Sequence, residues 1–413
     1  MKNTLCGYVA GAVLALLSTS ASAETLVWLS ARPADGAIVT TVKELAAEYA
    51  KDHPGFELDV QVTADRASYL TKLRTLVASG DVPAFFDTDA DPYAQQLADA
   101  GLLVDMGAFL QEKGLLEKFY EPALKYEQFQ DGSLYLLPLE YHLEMNWYNK
   151  ATFEKNGLQP PKTLDEMVDV TEKLAAAGVT PIAISGTDAW PMLRYLAMVP
   201  FRMTGNEFAR NLAQGQLDKD MALRAATFFD KMSEHFQMGF VSADYVTARS
   251  LFLNGEAAMY HMGTWELGTF SDESLPENMK GNVGYFYLPM AEGAKAPANE
   301  FFGNSGIGMA ASAATFEGTA KDFLSYVIEN YADRYVEKKA LSPLRFELKE
   351  GVTYDPLFVA VKTDADNYGA EFAKPWDTLL SPDGNQIVND LAFQLANDQI
   401  TAEQFVDGLG QVK

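Results

Sequence analysis

The stretch that decides the fold opens Thr25-Leu26-Val27-Trp28-Leu29 and runs to Asp87-Thr88-Asp89. Its first five residues are an apolar run that reads as a strand, and from Val39 to Lys51 apolar residues recur at helical spacing until His53-Pro54-Gly55 breaks them. Phe56-Glu57-Leu58-Asp59-Val60-Gln61-Val62 alternates with the two-residue period of a second strand. A helix is expected from about Tyr69 to Ser79, stopping at Gly80-Asp81, and Ala84-Phe85-Phe86 is a short buried strand ending in polar residues. Strand, helix, strand, helix, strand is the order of a parallel α/β sheet, because parallel neighbours need a crossover. Such sheets hold ligands at the carboxyl ends of their strands, where Ser30 to Arg32 and Asp87 to Asp89 stand.

Upstream, Met1-Lys2-Asn3 precedes an apolar run from Gly7 to Leu17 and then Ser20-Ala21-Ser22-Ala23. This is the layout of a secretory signal peptide over residues 1–23, cut before Glu24, and its apolar run is too short to span a bilayer. The only cysteine, Cys6, lies in that leader with no apolar run before it to present it for lipid attachment. The mature chain therefore has no disulfide, no thiol nucleophile and no thiolate metal site. Loss of Lys2 and of no acid moves the formal charge from −25 to −26, a surface that repels phosphate backbones and argues against nucleic acid as a partner. About 390 residues remain, too many for one core, and no Pro/Gly/Ser-rich tether divides them. Two lobes joined by short ordered crossings are expected.

Further along, Tyr135 to Pro138, Met145 to Tyr148 and Val179 to Ile184 read as strands, and Thr163-Leu164-Asp165-Glu166 as a capping box. Helices are expected at Met221 to Phe236, Thr247 to Asn254, Thr315 to Asn330 and over much of Asn385 to Leu409.

A series of short motifs then occurs in a telling order. Ser79-Gly80-Asp81-Val82-Pro83 and Ala100-Gly101-Leu102-Leu103 are followed by Asp131-Gly132-Ser133-Leu134-Tyr135-Leu136-Leu137-Pro138 and Trp147-Tyr148-Asn149-Lys150. Phe153-Glu154-Lys155-Asn156-Gly157-Leu158, Pro160-Pro161-Lys162-Thr163 and Ala177-Gly178-Val179-Thr180-Pro181-Ile182 come next, then Phe252-Leu253-Asn254-Gly255-Glu256-Ala257-Ala258-Met259, Gly263-Thr264-Trp265 and Ala320-Lys321-Asp322-Phe323-Leu324. In this order the chain resembles the extracellular solute-binding proteins of carbohydrate ABC importers, the group that includes maltose-binding protein, over most of its mature length. The resemblance implies a periplasmic-binding-protein fold: two α/β lobes built from discontinuous segments, with a central cleft and a hinge. It implies a periplasmic monomer that binds a mono- or oligosaccharide and meets the membrane permease subunits of an ABC transporter, with no cofactor. Crossings are expected near Gly132 to Leu139, Tyr287 to Ala291 and Leu341 to Phe346, which assigns residues 24–133 and 290–342 to one lobe and 134–289 and 343–413 to the other.

Sugar recognition calls for flat rings against C–H faces and planar polar groups against hydroxyls. Trp190, Trp265 and Trp376 stand in polar surroundings and are ligand platforms or core residues; the resemblance favours Trp265, since the family commonly uses a Trp there. Trp28 and Trp147 lie inside strands and are expected in the core. Asp87, Asp89 and Glu140 are candidate acceptors of sugar hydroxyls, or solvated loop acids; Arg32 and Arg345 reach the cleft or form surface pairs. Gly303-Asn304-Ser305-Gly306-Ile307-Gly308 fails the G-x-S-x-G pattern at Ile307, and the resemblance makes it a glycine-rich turn bringing backbone to the cleft, with Gly303 and Asn304 approaching ligand or packing tightly.

Asp87-Thr88-Asp89-Ala90-Asp91 starts like a calcium loop but has Pro92 in place of glycine and Ala98 in place of the bidentate glutamate. His53, His142, His235 and His261 show no metal-ligand spacing and are read as surface or satisfied core residues. Paired acids with aromatics would also serve a secreted glycoside hydrolase, and a ligand receptor for a sensor protein would look the same in sequence.

Overall fold

The structure, a computed structural model, describes residues 24–63, 65–271, 275–376 and 379–412. The expected leader at 1–23, with Cys6, lies outside the described residues.

Among the described residues nine strands carry the architecture: β1 (Glu24–Ser30), β2 (Phe56–Val62), β3 (Phe85–Thr88), β4 (His142–Asn149), β5 (Thr180–Ala183), β6 (Ala257–Gly263), β7 (Val283–Phe286), β8 (Gly303–Asn304) and β9 (Gly308–Ala311). They form two sheets with helices packed on them, the mixed two-sheet α/β architecture of a periplasmic-binding-protein fold.

The first sheet has the order β2-β1-β3-β9. β1 pairs in parallel with β2 and β3, through crossover helices Ala37–Asp52 and Arg66–Ser79, while β9 returns antiparallel to β3. Side chains alternate across it: Leu26, Trp28 and Phe85 pack with Val39, Val42 and Leu45 on one face, and Leu29 and Phe86 with Tyr69 and Leu73 on the other. This double burial explains why these strands read as near-continuous apolar runs.

The second sheet has the order β5-β6-β4-β7, with β8 pairing β4. β4 lies between β6 and β7, antiparallel to both. Its Leu143, Met145 and Trp147 enter the largest core, so the period of two puts His142, Glu144 and Asn146 together on the other face.

The membership of the two cores marks where the chain passes from one sheet to the other. Leu134, Leu137 and Leu139 pack in the first sheet's core, and Tyr141, Leu143 and Met145 pack in the second, so the chain passes between the cores at Glu140, beside the expected Gly132 to Leu139. Ala296, Phe301 and Phe302 remain in the second core, and β8 is still paired with β4, so the return falls at 305–307 and not near 287–291. In the third, Leu341 and Phe346 pack on the second core and Leu344 on the first.

Three local expectations also change. Tyr135 to Pro138 is extended but makes only the isolated Leu137 bridge to Met309, and Pro138 has no N–H for a ladder. Thr163 caps the helix Leu164–Ala176 through the Glu166 N–H, but the Glu166 carboxylate accepts from the Lys162 N–H, so the reciprocal half of the box is absent. The helix Trp190–Thr204 has no signal in the sequence because Pro191 to Arg202 are buried on every side, leaving no polar face to create a period, and because it contains Pro200.

Candidate functional site

The polar face of β4 forms the floor of a cavity of about 390 Å3, lined by Glu140, His142 and Glu144 together with Trp190, Arg194, Trp265 and Asn304. The register of β8 against β4 sets His142 opposite Asn304, and the helix Trp190–Thr204 brings Trp190 and Arg194 to the same place one turn apart.

Trp265 follows β6 in a short helical turn and folds back over Gly263. A Cβ at residue 263 would lie 2.1 Å from Cζ3 of the indole, so this approach requires glycine. The Trp265 ring meets Trp190 at 6.0 Å with an interplanar angle of 70°, and His142 at 5.2 Å with an angle of 84°. The result is a corner of flat rings above a polar floor.

The floor is charge-balanced. Arg194 donates to both oxygens of Glu144, from Nε at 2.7 Å and from Nη2 at 2.9 Å, while its guanidinium lies 4.6 Å from the Trp190 ring centre. Asn304 donates to the same carboxylate at 3.0 Å. Burial alone would raise the Glu144 carboxyl, but the Arg194 charge and hydrogen bonds, with His261, outweigh it and hold the carboxyl well below the usual range. Glu140 shows the same balance more weakly: burial opposes, and His142 and Arg32 prevail to lower it. The His142 Nε2 donates to Glu140 Oε2 at 2.9 Å, and Nδ1 lies 3.3 Å from the Thr264 hydroxyl.

Of the ten residues singled out in the sequence, Glu140, Trp190, Trp265 and Asn304 meet in this cavity. Arg32 does not line it; its Nη1 is 2.5 Å from Asp87 Oδ1, and its Nη2 donates to the Ile307 carbonyl. Asp87 is fully buried and accepts from Trp28 Nε1, the Ser30 hydroxyl and the Ala31 N–H at 3.0, 2.8 and 2.8 Å, so its lone pairs serve the strand ends. Asp89 is half exposed, paired with Arg66, and outside the lining. Gly303 is a packing glycine, since a Cβ there would meet the Phe372 ring at 2.4 Å. Arg345 lines a different cavity of about 290 Å3 with Tyr120, Asp366 and Tyr368. Trp376 is 1% exposed against Phe208 and Phe405, a core residue.

Three lining residues escaped the sequence reading: His142, Glu144 and Arg194. The first two had a signal, the polar alternation His142-x-Glu144-x-Asn146 within an otherwise apolar strand. Arg194 had one too, as one of two cations, with Arg202, in an otherwise apolar run. His142 is a buried residue with both ring nitrogens partnered, by Thr264 and Glu140, and it also lines the cavity. Among the described residues no group of three or more His, Cys, Asp or Glu is arranged to hold a metal, and no helix is long and apolar enough to cross a membrane.

Two α/β sheets joined by three crossings, with a ringed polar cavity at the first of them, define a solute-binding protein. The family model for bacterial extracellular solute-binding proteins matches residues 34–333, and the chain belongs to that family. That description places it among exported proteins. It is similar to the multiple sugar-binding protein of Streptococcus mutans, 26% identical over 263 residues that make up 60% of this chain and 59% of that one. It is also similar to the sn-glycerol-3-phosphate-binding periplasmic protein of Shigella flexneri, 25% identical over 309 residues, 70% of this chain and 68% of the relative. A probable secreted solute-binding lipoprotein from Streptomyces coelicolor has the same fold, with a TM-score of 0.77 at 19% identity, covering 94% of this chain and 97% of that one. The matched segments span 57%, 55% and 59% of three curated relatives, so these matches reach little more than half of each.

Proposed function

We propose that the protein captures a neutral sugar in this cavity and delivers it to the membrane permease of an ABC importer, without chemical change. The observation that carries the reading is the ring corner of Trp190 and Trp265 over a polar floor whose charges are already paired. Rings set at a steep angle suit the C–H faces of a pyranose, and paired charges leave no strong preference for an ion. The sugar-binding relative supports this choice. The glycerol-phosphate-binding relative points to an anion, but a phosphate would need cations to spare, and Arg194 is committed bidentately to Glu144.

Glycoside hydrolysis calls for one carboxyl kept protonated as an acid beside one ionised partner. Glu140 and Glu144 are both held below the usual range, which favours binding over hydrolysis. Sugar added in a sealed assay is expected to remain intact.

The lobes of this reading are 24–139 with 305–340, and 140–304 with 341–412, closing about the three crossings when ligand touches both. The site test is a thermal-shift screen across carbohydrates and glycerol phosphates. Ligand that binds only the native state at about 100 times its Kd adds ~2.7 kcal/mol, so a cognate sugar raises the melting temperature visibly. A response to glycerol phosphates alone, or to nothing in the screen, overturns the sugar reading.

The finer location belongs to the same proposal: a mature chain starting at Glu24 in the periplasm. Intact-mass analysis of the periplasmic fraction is expected to give the 24–413 mass, and a mass retaining residue 1 or carrying a lipid contradicts it.

A further inference from the structure

We propose that Glu140, held by Arg32, is the joint that couples the two lobes at the hinge, a positioning residue whose carboxylate holds one group from each lobe. The inference rests on the two-lobe reading above but not on the identity of the ligand.

Arg32 stands two residues beyond the end of β1 and is 6% exposed. One guanidinium binds three separate parts of the chain. Its Nη1 holds Asp87 at the end of β3, its Nη2 donates to the Ile307 carbonyl on the second crossing, and its Nε donates to Glu140 Oε1 at 3.3 Å on the first. The other oxygen of the same carboxylate takes the 2.9 Å bond from His142, on β4 of the second sheet. Gly306 closes the arrangement: it sits at φ +66°, and a Cβ there would lie 2.5 Å from the Glu140 carboxylate, so the second crossing packs its bare backbone against the first. The charged and titratable groups around the carboxylate include Arg32 and Asp87 from the first sheet's strand ends and His142 from β4, with buried Glu127, Tyr331 and Tyr335 also near.

The geometry gives this network a different energy in each hinge state. Rotation about the crossings moves Arg32 relative to His142, and one carboxylate cannot keep both partners at hydrogen-bond distance through a rigid-body rotation. Charge-assisted bonds in a buried setting are strong enough to bias such an equilibrium, unlike exposed surface pairs. The cavity feels the same joint, because the His142 ring that Glu140 holds stands against Trp265.

The test measures the empty protein. The mature sequence contains no cysteine, so Thr75→Cys on the helix Arg66–Ser79 and Lys173→Cys on the helix Leu164–Ala176 supply two spin-label sites, one per lobe. Interlobe distances are then recorded without ligand in the parent and in Glu140→Gln, which keeps the shape of the side chain and removes its charge. The expected result is a change of about tenfold in the ratio of closed to open molecules, the scale of one charge-assisted hydrogen bond. His142→Phe keeps a ring, removes the N–H and leaves the Arg32–Asp87 pair intact, so it moves the ratio in the same direction; Glu140→Asp restores part of it. Arg334→Gln, which breaks an ion pair with Glu48 inside the first lobe, leaves the distribution unchanged. Melting curves on the same samples identify the folded variants, and a parental distribution in folded Glu140→Gln or folded His142→Phe overturns the proposal. No ligand enters the measurement, so its failure leaves the sugar reading standing, and failure of the thermal-shift screen leaves the joint standing.

Discussion

Arg194→Leu destabilises the protein by about 3–5 kcal/mol at neutral pH, the cost of leaving one member of a buried ion pair without its partner. Glu144 is 1% exposed and receives two hydrogen bonds from Arg194, so the leucine variant leaves an anion that burial penalises and only Asn304 and His261 address. Urea unfolding reads the loss as a lower midpoint at unchanged slope. The pH dependence has a definite sign. The folded Glu144 carboxyl lies below its unfolded value near 4.5, so its contribution is fully present above that pH and is lost as pH falls toward the folded value. The gap between parent and variant therefore narrows on acidification below about 4.5. Replacing both partners, as Glu144→Met with Arg194→Leu, recovers most of the stability, because the penalty belongs to the orphaned charge. Equal midpoints for parent and Arg194→Leu at neutral pH would show that the pair is solvated.

If the cavity holds a sugar as proposed, Trp265→Ala is expected to weaken its binding by about 1–3 kcal/mol, roughly 5- to 150-fold, while the fold survives. The indole is half-buried beside Trp190 and His142 at the edge of the second core, so its loss removes a cavity wall while the fully buried residues of that core stay in place. Gly263→Ala gives an independent route to the same result with the indole still present. Its new Cβ would occupy space 2.1 Å from the ring, and the ring must leave its position. Titration calorimetry with the sugar found by thermal shift, alongside circular dichroism, decides the matter: unchanged affinity in natively folded Trp265→Ala returns that tryptophan to a structural role.

Local physics carried much of the architecture. β1, β2 and β3 were legible because a strand's period of two and a helix's period of 3.6 are properties of adjacent residues, and the parallel order follows from strands alternating with helices. The helix Trp190–Thr204 was invisible for the complementary reason, since burial on all sides erases the period.

The candidate site was legible only in part. Trp265 and Trp376 stand in similar polar, loop-like contexts, yet one faces the cavity and the other packs between Phe208 and Phe405; nothing within a few residues of either separates them. Arg32 and Asp87 are legible as polar groups at strand ends, but Asp87 is taken up by Arg32, Trp28, Ser30 and the Ala31 N–H, and Arg32 by Asp87, Glu140 and the Ile307 carbonyl, an outcome that depends on which strands lie side by side. Glu144 shows the limit most plainly. Its alternation with His142 marks a polar strand face, but its meaning comes from Arg194, 50 positions away, and Asn304, 160 positions away. The sequence by itself determined which residues form strands and helices and that the mature chain has no cysteine, because those are matters of local pattern and composition. Only the tertiary structure decided which charges are paired and which rings face the cavity, because burial and hydrogen bonding depend on neighbours that the chain brings together from distant segments.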